Sequence, residues 1–479
     1  MAFGLVFFIG CASEDDDVAT VYDSFDIRAV MSLTAGTDAN AEIVRTVPGS
    51  EDQAVFVSSA IGRLTVIDYT TSSFSFGSTY DLDPGSATAE MTSIDVSIPI
   101  GGENYVAVCV ANTDCAKGKI MFVKLSDGTI VSEVEVGYNP DGTAFTKDGS
   151  YLVVACEDDR EDRPCKPADR HGGSVSIIDL TGGVANASLV QDFAVDWDED
   201  SEPEHCETSA DGTVIVSVQE TSQIMIFNVS DAPLTQADIT VVDLPDDGST
   251  SDDGVGVEPE PDGLFISPDG TMALISSERN GTLQMMSLPD GTLYGSPHII
   301  ENDLPDGWQV DDRSYKKRTE PEECSLVEKS GKLYAVFALQ ESHAVIVYDV
   351  TDPANPVFDS MAPAGIDYEN DNVAIESPYT HDHLRIKIKR PGPLFVRMPS
   401  WVDRSSVMVD GNEGALQIKS GYLEIDQPQL NKWIKILFNL PIREIILEHR
   451  CRNIHVRLRG DAVVAMENFG AEHTFFDPY

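Results

Sequence analysis

Residues 260–291 read EPDGLFISPDGTMALISSERNGTLQMMSLPDG, and this stretch decides the fold class. A short apolar run, GLFI, leads into the turn signal SPDG, and two further β-rich runs follow on either side of the polar segment SERNG. The last run closes on another Asp-Gly turn. Because no apolar spacing of helical period extends across the stretch, it predicts three consecutive antiparallel strands.

The same pattern recurs along the first 375 residues at intervals of 46 to 62 residues. Each copy has an apolar run, a polar turn and a second apolar run ending on an acidic turn, which predicts a two-stranded hairpin. Six segments have this form: 54–68, 105–128, 151–183, 213–231, 271–291 and 332–352. A shorter strand-and-turn segment that begins with Asn-Pro or Glu-Pro precedes four of them: 139–149, 202–212, 260–270 and 320–331.

Three or four strands per unit of about 60 residues, repeated about six times, predict an all-β fold, a six- to seven-bladed β-propeller. Radial repetition leaves only short sheet edges exposed. The SPDG or KDG turn before an apolar hairpin resembles the YVTN-type and lactonase-like propellers, and the acidic loops resemble bacterial propellers of the choice-of-anchor type. The resemblance covers roughly residues 20–375 and implies a fold rather than an activity. An array of β-sandwich domains is the alternative.

The acidic residues are concentrated in the repeat region. The 479-residue chain has a formal net charge of −49; residues 1–379 hold 18 basic and 69 acidic residues, and the last hundred hold 14 and 12. This step predicts a propeller at 20–375, a linker at 376–382 and a second module at 383–479. Such acidity argues against nucleic acid and against an anionic lipid surface as partners.

The N-terminal segment has the character of an export signal. Residues 1–10 are apolar and too few to span a bilayer, and an acidic tether extends from Cys11 to residue 19. Phe8–Cys11 resembles a bacterial lipobox, which implies lipidation of Cys11, an exported protein of the bacterial cell envelope, and membrane contact only through that lipid. The basic residues that usually precede such a run are missing, so a cleaved signal and a plain apolar N-terminus are the alternatives.

Eight cysteines favour an oxidising compartment. Cys109 and Cys115 are close in sequence, as are Cys156 and Cys165, so each pair is a candidate for a disulfide that closes a small loop. No CxxC pair occurs, which argues against a zinc ribbon. Spacing alone does not settle how the cysteines pair.

The first strand of each propeller blade lines the central channel, and the segments that lead into these strands face one mouth. The recurring Asn-Pro or Glu-Pro segment therefore places four acids in equivalent positions around that mouth: Asp141, Glu204, Asp262 and Glu322. Because like carboxylates at close range are costly unless a cation relieves them, the sequence predicts a site for a cation or a cationic ligand. The alternative is that these acids accept backbone N–H bonds in turns.

A second acidic pattern has the spacing of calcium ligands. Four acids stand at positions 1, 3, 5 and 12 of a twelve-residue frame, namely Asp196, Asp198, Asp200 and Glu207. This spacing resembles an EF-hand-type loop, so calcium is the one cofactor that the sequence indicates. Ser201 replaces the usual glycine, Pro203 interrupts the frame and no helices flank it, so a solvated acidic loop is the alternative.

The last hundred residues predict a different module. Alternation in LRIKIK (384–389) and six further short apolar segments predict about seven antiparallel strands in a β-sandwich. The motifs RMPSW (397–401) and VMVDG (407–411) resemble the C-terminal β-sandwich of glycoside hydrolase family 127, the β-L-arabinofuranosidase type, over residues 383–470. That family's catalysis resides in a helical barrel, for which this sequence has no counterpart. The resemblance therefore implies an accessory module and transfers no catalytic residue.

These features predict an exported, lipid-anchored cell-surface protein with a ligand-binding propeller and a glycosidase-derived accessory sandwich. The expected partner is a surface ligand, either carbohydrate or protein. An enzyme is the less favoured class, because the sequence has no GxSxG, no HExxH and no phosphate-binding glycine loop. The alternatives are a calcium-dependent propeller hydrolase acting on lactones, esters or phosphates, and a glycan-processing protein without its catalytic barrel.

Overall fold

The computed structural model has an all-β fold and divides into two compact units, Met1–Ala364 and Gly365–Tyr479. Among the described residues there is no helix with the length and apolar character of a membrane span. The structure describes residues 43–478 except 60–61, 70–73, 87–88, 113–115, 158–171, 196, 198–200, 247–256, 305–318, 341, 343, 364–367, 370–372, 377–382, 399–401, 411–415, 420–421, 431, 439–440, 449–452, 460–461 and 467–476.

The first unit contains six four-stranded antiparallel sheets, which are the blades of a β-propeller. In every blade the four strands are consecutive in the chain and pair in that order. Blade 1 consists of β1 (Val44–Thr46), β2 (Gln53–Ser58), β3 (Arg63–Tyr69) and β4 (Phe74–Asp81). Blade 2 consists of β5 (Ala89–Val96), β6 (Tyr105–Asn112), β7 (Lys119–Lys124) and β8 (Ile130–Glu135). Blade 3 consists of β9 (Pro140–Phe145), β10 (Tyr151–Cys156), β11 (Gly173–Asp179) and β12 (Ser188–Val195).

The second half of the propeller repeats this arrangement. Blade 4 consists of β13 (Pro203–Thr208), β14 (Thr213–Val218), β15 (Gln223–Asn228) and β16 (Thr240–Asp243). Blade 5 consists of β17 (Pro261–Ile266), β18 (Met272–Ser277), β19 (Thr282–Ser287) and β20 (Leu293–Ile299). Blade 6 consists of β21 (Pro321–Lys329), β22 (Lys332–Leu339), β23 (Ala344–Asp349) and β24 (Val357–Pro363). The propeller predicted from the repeats is therefore confirmed, with six blades in the described residues.

The recurring SPDG-type turn joins the first two strands of a blade. In blade 5, Ser267 Oγ donates a hydrogen bond to Asp269 Oδ1 over 2.7 Å, and Gly270 adopts a φ of +75°. Only glycine takes this left-handed conformation without a steric cost, which explains why Gly follows Asp in this turn. Blades 3 and 4 use the same turn, with Gly149 at +72° and Gly212 at +84°.

Consecutive blades share hydrophobic cores. Between blades 1 and 2, for example, Val57 and Leu64 pack with Met91 and Val108, and all four are fully buried. Equivalent clusters lie between each later pair of consecutive blades up to blades 5 and 6. Because the second and third strands are covered on both faces, their sequences are continuous apolar runs rather than alternating ones. Each fully buried Val, Leu or Ile side chain contributes about 1.5–3 kcal/mol.

The disulfides expected at Cys109 and Cys156 are corrected by the structure, in which both residues have free and fully buried thiols. Both lie in second strands of their blades and pack in the core between blades 2 and 3. Burial raises the pKa of Cys109 well above its ordinary value and that of Cys156 to about 12, so neither forms a reactive thiolate. Their expected partners, Cys115 and Cys165, lie outside the described residues.

The second unit contains three sheets. The first has the order β25-β26-β27-β32-β29, the second β28-β31-β30 and the third β33-β34-β35-β36. Its strands are β25 (Tyr368–Glu369), β26 (Val373–Glu376), β27 (His383–Ile388), β28 (Leu394–Arg397), β29 (Met408–Asp410), β30 (Leu416–Lys419), β31 (Tyr422–Ile425), β32 (Trp433–Leu437), β33 (Ile442–Glu448), β34 (Asn453–Arg459), β35 (Ala462–Met466) and β36 (Asp477–Pro478). All these pairings are antiparallel except that of β35 with β36.

The first two sheets of this unit pack face to face as a β-sandwich. Ile386 and Ile434 from one sheet meet Val396 and Leu423 from the other in a single buried cluster. The alternation predicted at 384–389 thus separates buried isoleucines from outward-facing cations. The unit also starts earlier than the linker predicted at 376–382, because β26 pairs with β27.

Candidate functional site

The inner strands of blades 2 to 6 each carry a β-bulge near their beginning. In β13, β17 and β21, the pairing with the second strand of the blade shifts between the proline and the residue three positions later. These pairs are Pro203/Cys206, Pro261/Leu264 and Pro321/Cys324. β5 and β9 have shifts at the equivalent place. A bulge leaves extra residues unpaired and changes the direction of their side chains. The side chains directly after each proline therefore do not follow the regular alternation of the strand.

The structure places the four sequence-predicted acids at one position, the second residue of the inner strand in blades 3, 4, 5 and 6. These residues, called the mouth ring below, are Asp141, Glu204, Asp262 and Glu322. All four are partly buried. Blade 2 has Thr92 at this position, and its hydroxyl donates a hydrogen bond to the Pro140 carbonyl over 2.5 Å.

The carboxyls of the mouth ring interact with one another. Burial raises the pKa of Glu204 well above its ordinary value, and the charges of Asp262 and Asp141 raise it further. Burial likewise raises the pKa of Asp262, and Glu322 and Asp141 add to the shift. The Oε2 atom of Glu204 is buried and has no hydrogen-bond partner. The blades thus bring the ring together as a set of mutually repelling groups, of which Glu204 has unused acceptor capacity.

Two further acids, Glu157 and Glu278, extend the negative charge of the ring. Each follows the second strand of its blade, and its backbone N–H donates to the residue before the proline, Asn139 or Glu260. Both residues raise the pKa of Glu204, and Glu278 also raises that of Asp262. Asn139 and Glu260 have positive φ, at 45° and 49°, which is strained for residues other than glycine.

Neighbouring inner strands approach closely at the ring. Ser276 Oγ of blade 5 donates to the Gly263 carbonyl over 3.1 Å and to the Glu322 carbonyl of blade 6 over 2.9 Å. A Cβ atom at Gly263 would overlap the Glu322 carbonyl oxygen, and one at Gly142 would overlap that of Glu204. This close approach accounts for the glycine in the Pro-Asp-Gly motif.

A second layer of charge lies further along the inner strands, and sequence reasoning missed most of it. This inner cluster consists of Arg45, Asp95, Lys147, Glu207 and Glu323. Arg45 Nη1 lies 3.2 Å from Glu323 Oε1 and joins blade 1 to blade 6. Asp95 accepts a hydrogen bond from the Phe145 N–H over 2.7 Å. Glu207 is the fifth residue of β13, but Ala144, Phe265 and Ser325 stand at that place in β9, β17 and β21, so no recurring sequence signal marked the cluster.

Glu207 is the one residue of the predicted calcium loop that the structure describes. Asp196, Asp198 and Asp200 lie outside the described residues. Glu207 lies inside β13, where Lys147 Nζ is 3.7 Å away and His205 Nε2 is 4.0 Å away. In the described part of the chain, no group of three or more His, Cys, Asp or Glu side chains has a metal-binding arrangement. Calcium binding by this loop stays a prediction.

The groups around Glu207 hold its pKa at about 2. Burial alone would raise the pKa, but the neighbouring His205 side chain and the charges of Lys147 and Arg45 outweigh it. The distance to His205 Nε2 is longer than a hydrogen bond, so we attribute the effect chiefly to the charges of Lys147 and Arg45. A carboxylate whose pKa is depressed stabilises the fold above its unfolded pKa of about 4.3, and this contribution is lost as the pH falls towards 2.

We therefore expect Glu207→Gln to lower the free energy of unfolding by about 2 kcal/mol at pH 7. Urea denaturation at several pH values measures this, and the difference from wild type should shrink as the pH falls below 4. Glu133→Gln is the control, because its pair with Lys119 is exposed, and it should cost less than about 1 kcal/mol. If the loss in the free energy of unfolding for Glu207→Gln does not change with pH, the low pKa of Glu207 is contradicted.

One known protein family matches part of the chain. Residues 42–198 match the family described as the choice-of-anchor I domain, which favours a cell-surface or exported protein. No curated protein matches the chain. Cys11, the predicted lipidation site, lies outside both the matched and the described residues.

Solved structures with related architecture share little sequence. Virginiamycin B lyase from Staphylococcus aureus is 11% identical, covering 73% of this chain and 92% of its own, with a TM-score of 0.45. The periplasmic gluconolactonase PpgL of Pseudomonas aeruginosa is 14% identical, covering 83% and 98%, with a TM-score of 0.43. The Dos1 propeller is 11% identical, covering 66% and 69%, with a TM-score of 0.44.

Proposed function

We propose that this protein is an exported, lipid-anchored cell-surface protein whose propeller binds a cationic ligand at the mouth ring. The observation that carries the proposal is the buried, unpartnered Oε2 atom of Glu204 among acids that raise its pKa. A cation placed between these carboxyls would relieve their repulsion and supply the missing partner. The choice-of-anchor I match supports the location, and the lipobox-like sequence at Cys11 supports the anchor.

The β-sandwich is proposed to be an accessory module. The motifs at 397–401 and 407–411 support its derivation from the glycoside hydrolase family 127 type, and the step in charge near residue 380 supports a separate origin. Direct binding of this protein to arabinose-containing polymers would test the resemblance. No binding to such polymers on a glycan array would count against a role in carbohydrate recognition.

Neutralising the mouth ring tests the proposed function. A carboxyl whose folded pKa is raised takes up protons more readily in the folded state, so stability falls as the pH rises above the unfolded pKa of about 4. We expect Glu204→Gln with Asp262→Asn to raise the melting temperature at pH 7.5 and to flatten its decline with pH. We expect calcium chloride or spermidine to raise the melting temperature of wild type by several degrees and that of the variant far less.

The exposed residue Glu51, which lies away from the ring, provides the matched control. Glu51→Gln removes one negative charge and should respond to both cations as wild type does. Comparison of calcium with spermidine separates a metal ion from an organic cation as the ligand. Equal shifts in wild type and the ring variant for both cations would refute the mouth ring as the site.

A further inference from the structure

A separate cavity of about 540 Å³, the rim cavity below, lies between residues of blade 4 and residues that precede blade 5. Its volume is within the range typical of small-molecule sites, about 300–1,000 Å³. The described residues that line it include Trp197 after β12, Leu244 and Asp246 after β16, and Glu258 and Pro259 before β17. The β14–β15 hairpin contributes the rest of the described lining.

The cavity has a tryptophan in a mainly polar lining, together with two apolar residues. Trp197 Nε1 donates a hydrogen bond to Gln236 Oε1 over 3.3 Å, which holds the indole in place by its edge. Leu244 and Pro259 are buried and supply aliphatic surface. Trp is the side chain that attracts organic cations most strongly through the face of its ring. The same interaction holds Lys387 over the ring of Trp433, 4.4 Å from its centroid, in the sandwich.

The described lining of the cavity is negatively charged. Glu220, Asp246 and Glu258 supply carboxylates, and no lysine or arginine is among the described lining residues. Arg279 pairs with Glu260, and its charge also acts on Glu220 and Glu258. Thr221 Oγ1 donates to Gln223 Oε1 over 3.1 Å. The exposed side chains of Asp246 and Glu258 are therefore the groups placed to meet a ligand.

The shape of the site favours an organic cation over a bare ion. The three carboxylates do not converge in a metal-binding arrangement among the described residues. A single ion would occupy little of the volume, whereas an alkylammonium would place its head near the carboxylates and indole and its body against Leu244 and Pro259.

We propose that this rim cavity binds a small organic ammonium ligand between Trp197 and the carboxylates of Asp246 and Glu258. The site is distinct from the mouth ring, because none of the ring acids lines it. The two sites can therefore succeed or fail independently, and the proposal does not rest on the function assigned to the ring.

Choline and its neutral isostere 3,3-dimethylbutanol test this inference on the full chain. We expect isothermal titration calorimetry to detect binding of choline to the protein. The alcohol should bind at least tenfold more weakly than choline, because the alcohol lacks the positive charge. We expect Asp246→Asn with Glu258→Gln to weaken choline at least tenfold. Both side chains are exposed, so this variant should fold normally. Trp197→Phe should weaken choline several-fold and reduce any ligand-dependent change in tryptophan fluorescence.

The control Glu51→Gln should bind choline as wild type does. Equal binding of choline and the neutral alcohol, or undiminished choline binding by the Asp246/Glu258 variant, would overturn the proposal. Loss of choline binding in the mouth-ring variant but not in the cavity variant would assign the ammonium to the channel instead. Absence of choline binding by wild type at millimolar concentration would also refute the rim cavity as a site for this ligand class.

Discussion

Arg45→Met is expected to lower the free energy of unfolding by about 3 kcal/mol. Arg45 is 18% exposed and faces the charges of Asp95 and Glu207 as well as Glu323. Methionine keeps most of the aliphatic volume but removes one of the two cations, Arg45 and Lys147, whose charges offset those of Asp95 and Glu207. Glu323 is 41% exposed and solvent screens it, so the cost comes mainly from Asp95 and Glu207.

The measurement is urea denaturation at pH 7 and at pH 4. The difference in the free energy of unfolding between Arg45→Met and wild type should be smaller at pH 4. Burial raises the pKa of Asp95, and protonation of Asp95 removes part of the unbalanced charge. Arg63→Met is the matched control, since Arg63 pairs with Asp81 2.7 Å away but both side chains are exposed. That pair should be worth less than about 1 kcal/mol. Equal losses for the two variants would show that the inner cluster contributes no more than a surface ion pair.

Gly263→Ala is expected to cost about 3 kcal/mol through steric overlap alone. The new Cβ would overlap the carbonyl oxygen of Glu322 and lie too close to Ser276 Oγ. The carbonyl belongs to the backbone of the next inner strand and cannot rotate away as a side chain can, so blades 5 and 6 must separate. Such a shift also displaces the carboxyls of Asp262 and Glu322 from each other.

Gly182→Ala serves as the control for this prediction. Its Cβ would meet only Asn186 Cβ at 3.4 Å, an ordinary contact, and the change should stay within about 0.5 kcal/mol. The midpoint of urea unfolding compares the two variants. If Gly263→Ala unfolds at the same urea concentration as Gly182→Ala, the inner strands are not packed as closely as the structure has them.

The hairpins were predictable because their signals are local. A β-strand buried on both faces must be apolar throughout, and a turn with a left-handed residue requires glycine. Each hairpin and each SPDG turn can therefore be predicted from a few consecutive residues. The repeats then predict a propeller, since blades with two apolar faces need neighbours on both sides. The mouth ring was likewise predictable in position, because Asp141, Glu204, Asp262 and Glu322 follow the same proline in equivalent motifs. Its binding role stays a prediction.

The error at the cysteines has the opposite cause. Cys109 and Cys156 were each expected to pair with a cysteine nearby in the sequence, Cys115 and Cys165, but both lie in strands whose side chains face the interblade core. Sequence distance was a poor guide, because the direction of a side chain depends on strand register and on bulges. The structure places Glu207 on an inner strand near Lys147, and its role in calcium binding stays a prediction.

The amino-acid sequence by itself determined the strands, their turns, the repeated blade and the acidity of the propeller, because each depends on neighbouring residues or on composition. Only the tertiary structure decided which charges meet. Arg45 and Glu323 are 278 residues apart and touch because blade 1 follows blade 6 around the ring. The rim cavity similarly joins Trp197 to Glu258 from different blades. Contacts between distant residues depend on ring closure and register, which no local pattern encodes.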